Sequence, residues 1–598
     1  MSRTIGIDLG TTHTALAVAD LEDAKAPSEI LALPQIVGKG SIDTRTLLPS
    51  FVYFAHESEG ALPLPWVADR TFAVGEYARS RGSEAPRRLI SSAKSWLCHS
   101  GVDRRKGLLP DGAPDDIERI SPVEASYRYL EHLAEAYAHR FPGASLAEAP
   151  VVLTVPASFD ASARDLTVEA ALAAGFDELT LLEEPQAALY AWIESRGDGF
   201  RKDLHVGDVI LVIDVGGGTT DFSAIEVADT DGSIELRRVA VGDHILLGGD
   251  NMDLALAHLA KQRLVEAGKE VDKDALVALT FAARDTKEKL LADPKLESAP
   301  IALAKKGSAL MGATLRTDLT QDDVTRMMID GFFPAVASTA RPAVRPRVGL
   351  REIGLPYASE PAITKHLAAF LGKQAGAVAG GKPLLCPTAI LFNGGVMKAE
   401  RIRARIVDTI AAWMKEVGAP APRVLEGADL DHAVARGAAY YGRVRAGKGL
   451  RIRGGTARAY YVGIEGAAPA VPGIEPPITA LCVASMGMEE GTDSNLPPRE
   501  LGVVVGEPVR FRFFGSTVRR EDKPGDELES WKADEVEDLP PIEITLPSEG
   551  RVDGDVVAVT LSASVTEVGT LLLEAVPVEP LKKDERWKVE LNVRSEAP

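Results

Sequence analysis

Cysteine is nearly absent from this chain: Cys98, Cys386 and Cys482 are the three among 598 residues. Their number is odd, they lie far apart and no CxxC spacing occurs. That excludes a disulfide framework and a thiolate zinc site, and leaves three small hydrophobes expected to be buried. Long apolar runs are missing as well. None approaches the roughly eighteen residues that a membrane-spanning helix needs. The N-terminus enters a strand by residue 4, with no charged leader and no small-residue cleavage site. The expectation is no membrane span, no signal peptide and a cytoplasmic location. Basic residues are in deficit, 67 Lys and Arg against 87 Asp and Glu, for a formal net charge of -20. Phosphate backbones are held by excess Lys and Arg, so nucleic acid is not expected as the main partner, and the acidity reads as a solvated surface.

What is present suffices for several domain cores, since 45% of the 598 residues are hydrophobic. The stretch Asp208 to Ser223, DVILVIDVGGGTTDFS, is the centre of the reading. Val209 to Ile213 is short, apolar, rich in β-branched residues and followed at once by glycines, so it reads as a buried strand closed by Asp214. Gly216, Gly217 and Gly218 allow a sharp turn whose N–H groups can approach a phosphate with no Cβ in the way, and Thr219 and Thr220 add hydroxyls. Alone, the same residues suit a glycine hairpin with an acidic cap. Thr4 to Val18, TIGIDLGTTHTALAV, repeats the pattern: apolar strand, Asp8 at its end, Gly10 with Thr11 and Thr12, then a second apolar strand. Two such hairpins imply two related lobes, each with a phosphate-binding turn and one carboxylate. Converging carboxylates repel unless a cation lies between them. Magnesium suits that place, because it keeps much of its water and takes a few carboxylates together with nucleotide phosphates.

Between the hairpins, residues 20 to 110 alternate short apolar pieces with Pro, Gly and charge, and read as an inserted subdomain that includes a strand in Leu48 to Phe54. Arg87 to Leu97 has helical spacing, and Lys94 within it reads on pattern as a surface lysine lying beside a helix. Ser121 is an N-cap with Pro122 at the first helical position and Glu124 three residues after the cap, which predicts a helix to Tyr137. Pro150 to Phe159 reads as a strand ended by Pro156, followed by a helix from Ala161 to Ala174 stopped by Gly175. Leu179 to Glu184 is a further strand. Glu184 at its end is either a site carboxylate or a solvated acid, since α/β sheets bind ligands at strand ends.

In this order, IDLGTT, VPASFDASAR, LLEEPQAAL, IDVGGGTTDFS, VAVGDHILLGGDNMD, ILFNGGVMKAERI and DLDHAVARGAA resemble the actin-like ATPase domain of the heat shock protein 70 chaperones, the DnaK type, over roughly residues 1 to 445. The resemblance implies an α/β two-lobed actin-like ATPase with ribonuclease H-like duplicated lobes. It places Asp8, Thr11, Thr12, Asp214, Gly216 to Gly218, Thr219 and Asp221 on phosphate and magnesium positions. Asp8 and Asp214 would hold magnesium through water. Gly10, Thr220, Gly248, Gly249, Lys287, Gly394 and Gly395 join the nucleotide site by the same likeness. Lys94 falls on the catalytic lysine and Glu184 on the water-orienting glutamate. Pro156 and Arg164 fall on residues that couple nucleotide state to the partner domain.

The chain departs from the family's pattern in several places. Of the adenosine helix's Glu, Lys, Arg and Ser, the stretch RDTKEKLL keeps Lys287 and has Arg284, Glu288 and Leu291 at the others, so base recognition is expected to be weak. Lys398 stands where an Arg is usual. Residues 338 to 361 insert Arg341, Arg345, Arg347 and Arg351 among prolines, either a solvated loop or a docking site for an acidic partner.

After Gly447 the pattern becomes alternating strands, in Val509 to Phe513, Val557 to Val565 and Trp587 to Val593, with an acidic irregular loop from Arg520 to Pro541. This predicts an all-β, sandwich-like domain of about 140 residues. The expected organisation is an ATPase domain over 1–446, a linker over 447–456 and a polypeptide-binding β-domain over 457–598. Lys448 to Arg453 is basic where the family's linker is acidic and apolar, and little chain follows the last strand, so no helical lid is expected. The resulting expectation is an ATP-dependent chaperone using ATP, ADP and magnesium, binding unfolded or extended polypeptide, with J-domain and nucleotide-exchange partners possible. The alternatives are a nucleotide-gated scaffold or co-chaperone of little turnover and a small-molecule kinase on the same fold.

Overall fold

The computed structural model describes every residue except 1–2, 24–25, 100, 231–232, 304–314, 344–353, 376–380, 448–451, 454–455, 457, 468–475, 489–491, 517, 520, 533–534, 540, 549, 567–569, 583–584 and 593–598. The chain divides into two compact units, Met1–Phe159 with Asp165–Arg451, and Ile452–Pro598 with Asp160–Arg164. No helix among the described residues is long and apolar enough to cross a membrane.

In the first unit the two similar hairpins become two sheets of matching order. Strand Arg3–Leu9 pairs antiparallel with His13–Asp20 and parallel with Val151–Val155, which in turn pairs parallel with Leu179–Glu183. Strand Val209–Val215 pairs antiparallel with Thr220–Thr230 and parallel with Ala389–Asn393, which pairs parallel with Arg423–Val424. Val151–Val155, Val209–Val215 and Ala389–Asn393 are buried along their whole length. That explains their unbroken apolar runs, since a central strand covered on both faces has no solvent side to make polar. The registers set Asp8 opposite Ala15 and beside Thr154, and Asp214 opposite Asp221 and beside Asn393. Each carboxylate therefore sits at the C-terminal edge of its parallel strands, where open α/β sheets bind ligands.

Helices Glu184–Arg196 and Ala433–Arg445 follow the last parallel strand of each sheet and pack against each other. Their contact is close enough that a Cβ on Gly437 would overlap the Ala187 carbonyl, so only glycine fits there. Glu183 and Arg238 add a buried ion pair between strands Leu179–Glu183 and Ser233–Val241, with side chains 3% and 6% exposed. Helix Pro122–Arg140 begins as its sequence indicates, with the Ser121 hydroxyl accepting from the Glu124 amide at 3.0 Å. Gly175 takes a φ of 85° after helix Ala161–Ala173.

Arg87 to Leu97 does not form one helix. Pro86–Arg88 is a 3-10 turn, Leu89–Ile90 a strand and Ala93–Leu97 a short helix, because Leu89 and Ile90 pair with Tyr53 and Val52. Tertiary pairing here overrides helical spacing. Leu48 to Phe54 splits likewise into Leu48–Pro49, which joins His13 and Thr14, and Val52–Phe54, which joins Phe72–Val74. In the insertion, Arg341 donates to the carbonyls of Ser338 and Ala340, while Arg345, Arg347 and Arg351 lie outside the described residues.

The second unit is strand-rich. Ala459–Glu465 pairs with Ile478–Ala484 and Phe513–Ser516, and Val556–Val565 pairs with Thr570–Pro577, which pairs with Trp587–Asn592. Tyr460, Val462, Leu481, Val483 and Phe513 of one sheet share a core with Val559, Ala563, Leu571, Leu573 and Val589 of the other, as in two stacked sheets. The alternate residues Tyr461, Cys482 and Phe514 face the opposite way and meet Trp531 and Val536 of the acidic loop. That loop is not wholly irregular, since Glu527–Leu528 and Glu537–Asp538 pair with the strands on either side. Lys448, Gly449, Leu450 and Arg451 of the expected linker lie outside the described residues, as does Arg520.

Candidate functional site

The two glycine turns meet. A Cβ on Gly217 would overlap the Thr12 methyl, and one on Gly218 would stand 2.7 Å from the Thr11 methyl and 3.0 Å from the Ser95 hydroxyl. The second turn is closed by Gly216 N–H on the Thr219 carbonyl at 2.9 Å. Behind it, Gly249 N–H donates to the Gly216 carbonyl at 3.0 Å and Asp250 N–H to that of Gly217 at 2.7 Å. Gly249 and Asp250 therefore brace the turn from the start of helix Gly249–Glu266, and Gly248 packs so tightly on it that a Cβ there would stand 2.6 Å from the Gly217 carbonyl. Thr220 is fully buried and its hydroxyl is given to the Leu247 carbonyl at 2.7 Å, whereas Thr11, Thr12 and Thr219 remain half-buried. Gly10 packs tightly on the His13 carbonyl within the first turn.

Around these turns the acids and the lysine assemble. Desolvation, then the charge of Glu184, pushes the Asp8 carboxyl up to about 7 against some relief from Lys94. Desolvation and Glu184, with Asp221 and Asp8, hold Asp214 well above its ordinary value, although the Asn393 amide donates to it at 2.7 Å. One acid from each glycine hairpin thus comes to the same place, and carboxyl groups so paired suit a hydrated divalent cation. Lys94 is not a surface lysine. It is 7% exposed, paired with Glu184 and set 5.9 Å from the Phe159 ring centroid. Desolvation opposes its charge, but Glu184, Asp8 and Asp214 outweigh that and raise its pKa. Burial turns what pattern reads as solvated into a charge committed to three carboxylates. Glu184 lies in the first turn of helix Glu184–Arg196 rather than on the strand, so that turn aims it.

A second charged group joins helices Gly249–Glu266 and Lys273–Ala292. Arg284 reaches Asp253 at 2.8 Å and Asp250 at 2.5 Å, and Lys287 reaches Asp253 at 2.6 Å. Arg284 is thus already engaged by two carboxylates, Glu288 is exposed, and Lys398 pairs with Asp431 at 2.5 Å. Gly394, at a φ of 86°, passes directly over the Val215 carbonyl, and Gly395 faces open space. His13 is pushed down to about 4 by burial and by Arg79 and Arg284, so it stands here uncharged. From the insertion, the Gly354 carbonyl meets the His99 ring nitrogen at 2.9 Å, and Ala358 N–H donates to the Leu246 carbonyl at 3.1 Å.

Sequence reasoning missed three members of the site. Asn393 stands inside the quoted ILFNGG motif, and the pairing of its strand with Val209–Val215 would have placed it beside Asp214. Ser158 and His244 lie in VPASF and VGDHILLGG. The Ser158 hydroxyl donates to Asp221 Oδ1 and meets His244 Nδ1 at 2.7 Å, while His244 Nδ1 lies 3.8 Å from the same carboxylate. Burial opposes an imidazolium at His244, yet Cys98 and Asp221 outweigh it and hold the ring well above its ordinary value.

A family model described as Hsp70 protein matches residues 66–338, a span that holds Lys94, Glu184, the second glycine turn and Lys287. Chaperone protein DnaK of Stenotrophomonas maltophilia (strain R551-3) is 31% identical over 304 residues, 48% of this chain and 43% of that protein. The chain thus spans less than half the length of the curated relative it matches.

Proposed function

We propose, from the match of residues 66–338 to the Hsp70 family model and the likeness to a DnaK chaperone, that the chain is a member of the heat shock protein 70 family and an ATP-dependent molecular chaperone. In this reading residues 1–446 form a two-lobed actin-like domain that binds and hydrolyses ATP with magnesium, and the β-domain over 457–598 binds unfolded or extended polypeptide. The observation that carries it is the meeting of the two glycine turns beside a buried Lys94–Glu184 pair and two carboxyls held above their ordinary values.

Each residue has a task in this reading. Backbone N–H groups of the turns at Gly10 to Thr12 and at Gly217 and Gly218 cradle the phosphates, while that of Gly216 closes its turn, and Thr219 touches the terminal phosphate. Asp8 and Asp214, through water, are the groups that would hold magnesium, which when bound neutralises phosphate charge in the in-line displacement. Lys94 and Glu184 position the attacking water, Lys94 offering positive charge to the oxygens that gain negative charge. Asn393 keeps Asp214 oriented by its amide hydrogen bond. J-domain and nucleotide-exchange partners follow as proposals from the family.

ATP hydrolysis with and without an unfolded polypeptide tests this. A magnesium-dependent rate that polypeptide raises is expected, and a rate indifferent to polypeptide would contradict the chaperone. One observation favours a second reading, a nucleotide-gated scaffold of little turnover: Arg284 is tied to Asp250 and Asp253 and Glu288 is exposed, where the family grips ribose and base. Binding of ATP without measurable hydrolysis would select it.

A further inference from the structure

Helix Ala93–Leu97, which carries Lys94, has five residues. A helix so short cannot hold itself, so its surroundings decide where Lys94 stands. Ser92, directly before it, takes a φ of 55°, a conformation that a residue with a Cβ rarely adopts unless its neighbours impose it. The Ser92 hydroxyl donates to Asp250 at 3.3 Å, and Asp250 in turn braces the second glycine turn. The other end of the helix is held by His99. Its backbone N–H donates to the Trp96 carbonyl at 3.2 Å, and its ring stacks on Trp96 with centroids 5.6 Å apart and planes 15° apart. Nδ1 accepts from Gly101 N–H at 3.0 Å, so that nitrogen is bare and Nε2 carries the ring's proton. Nε2 therefore donates, and its acceptor is the Gly354 carbonyl at 2.9 Å.

Gly354 comes from the other half of the ATPase region. The insertion lies between strands Ser233–Val241 and Ala389–Asn393 of the second sheet, whereas helix Ala93–Leu97 lies between strands His13–Asp20 and Val151–Val155 of the first. The insertion's return is anchored. Glu360, 7% exposed, accepts from the N–H groups of Ala343 and Ala362 at 3.3 and 3.2 Å and from Lys365 at 2.7 Å. Helix Ile363–Lys373 follows, and its Phe370 ring lies 5.8 Å from that of Phe222 in strand Thr220–Thr230. Between Glu360 and Gly354, Ala358 N–H donates to the Leu246 carbonyl at 3.1 Å, and the next carbonyl, that of Leu247, takes the Thr220 hydroxyl. We propose that residues 354–360 tie the two halves together, and that His99 is a positioning residue through which this tie sets the Lys94 helix against the second glycine turn. The effect on hydrolysis rests on the ATPase reading above; the tie itself does not.

Asn and Gln at position 99 separate the tie from the local turn. The Asn carboxamide oxygen stands where Nδ1 does and still accepts from Gly101 N–H, whereas the Gln carboxamide nitrogen reaches where Nε2 does and still donates to Gly354. Hydrogen exchange of the nucleotide-free full-length chain, read by peptide mass over 89–101, should quicken about tenfold in His99→Asn and much less in His99→Gln. Ala358→Pro, far from that peptide in sequence, removes the donor to Leu246 and should quicken it as well. Under the ATPase reading, single-turnover hydrolysis should fall about tenfold in His99→Asn while ATP affinity stays within about threefold, and His99→Gln should recover most of the rate. Exchange over 89–101 that ignores Ala358→Pro, or that quickens equally in the Asn and Gln variants, would overturn the tie. Unchanged hydrolysis in His99→Asn despite faster exchange would overturn the positioning role. Absent hydrolysis in the wild type would instead overturn the ATPase reading, and exchange alone would then decide the tie.

Discussion

Gly217 passes Thr12 so closely that no side chain fits between them, for a Cβ on the glycine would overlap the threonine methyl. These residues come from turns about two hundred positions apart, and their meeting brings the first hairpin's Asp8 and the second's Asp214 to one place.

The first prediction follows from that contact. Gly217→Ala should prevent the turns from closing and weaken nucleotide binding about tenfold or more, because overpacking of this kind costs about 1–3 kcal/mol. Thr12→Ser removes the methyl that the new Cβ would strike, so the double variant should recover part of the loss. Calorimetric titration of the single and double variants checks it. Independent, additive effects would mean that the two turns do not work against each other.

Much of this arrangement was legible because it is local. The strands end in Asp8 and Asp214, the glycines follow directly, and Ser121 announces its helix by side-chain type and spacing. Lys94 was not legible from pattern, since what makes it special is Glu184, ninety residues away, and a lysine among apolar neighbours looks the same beside water as beside a carboxylate. Arg87 to Leu97 misled for a related reason: its helical spacing is real, but Leu89 and Ile90 are claimed by a neighbouring strand. Ser158 and His244 carry no spacing signal at all. Only the approach of the loop after Val151–Val155 to Asp221 and to the segment after strand Ser233–Val241 puts them together.

A second prediction concerns the base. Stacking of an Arg on adenine contributes on the order of 1 kcal/mol, and Glu288 cannot supply it. Arg284, the nearest guanidinium in that helix, is occupied by Asp250 and Asp253. ATP and GTP should therefore bind within about tenfold of each other, and Glu288→Arg should tighten ATP about fivefold. Titration with both nucleotides decides; a strong preference for ATP in the wild type would show that other groups grip the base.

Protons give a third. Asp8 stands at about 7 rather than its ordinary 3.8, so the folded protein holds a proton there that the unfolded chain would have lost. The stability this lends is full below the ordinary value and disappears as pH rises through about 7. Asp8→Asn should consequently stabilise the nucleotide-free protein more at pH 7.5 than at pH 5 in thermal melts. Near pH 7, binding of magnesium nucleotide should release a substantial fraction of one proton as the carboxyl ionises beside the cation. Calorimetry in buffers of different ionisation enthalpy measures that release. Proton uptake, or none, would place Asp8 away from the cation.

If the buried Lys94–Glu184 pair positions the nucleophile for ATP hydrolysis, single-turnover hydrolysis by Lys94→Ala reveals it. Positioning is worth orders of magnitude in rate and little in ground-state affinity, so hydrolysis should fall about a hundredfold or more while ATP affinity stays within a few-fold. Hydrolysis by Lys94→Ala within a few-fold of wild type would show that the pair does not position the nucleophile.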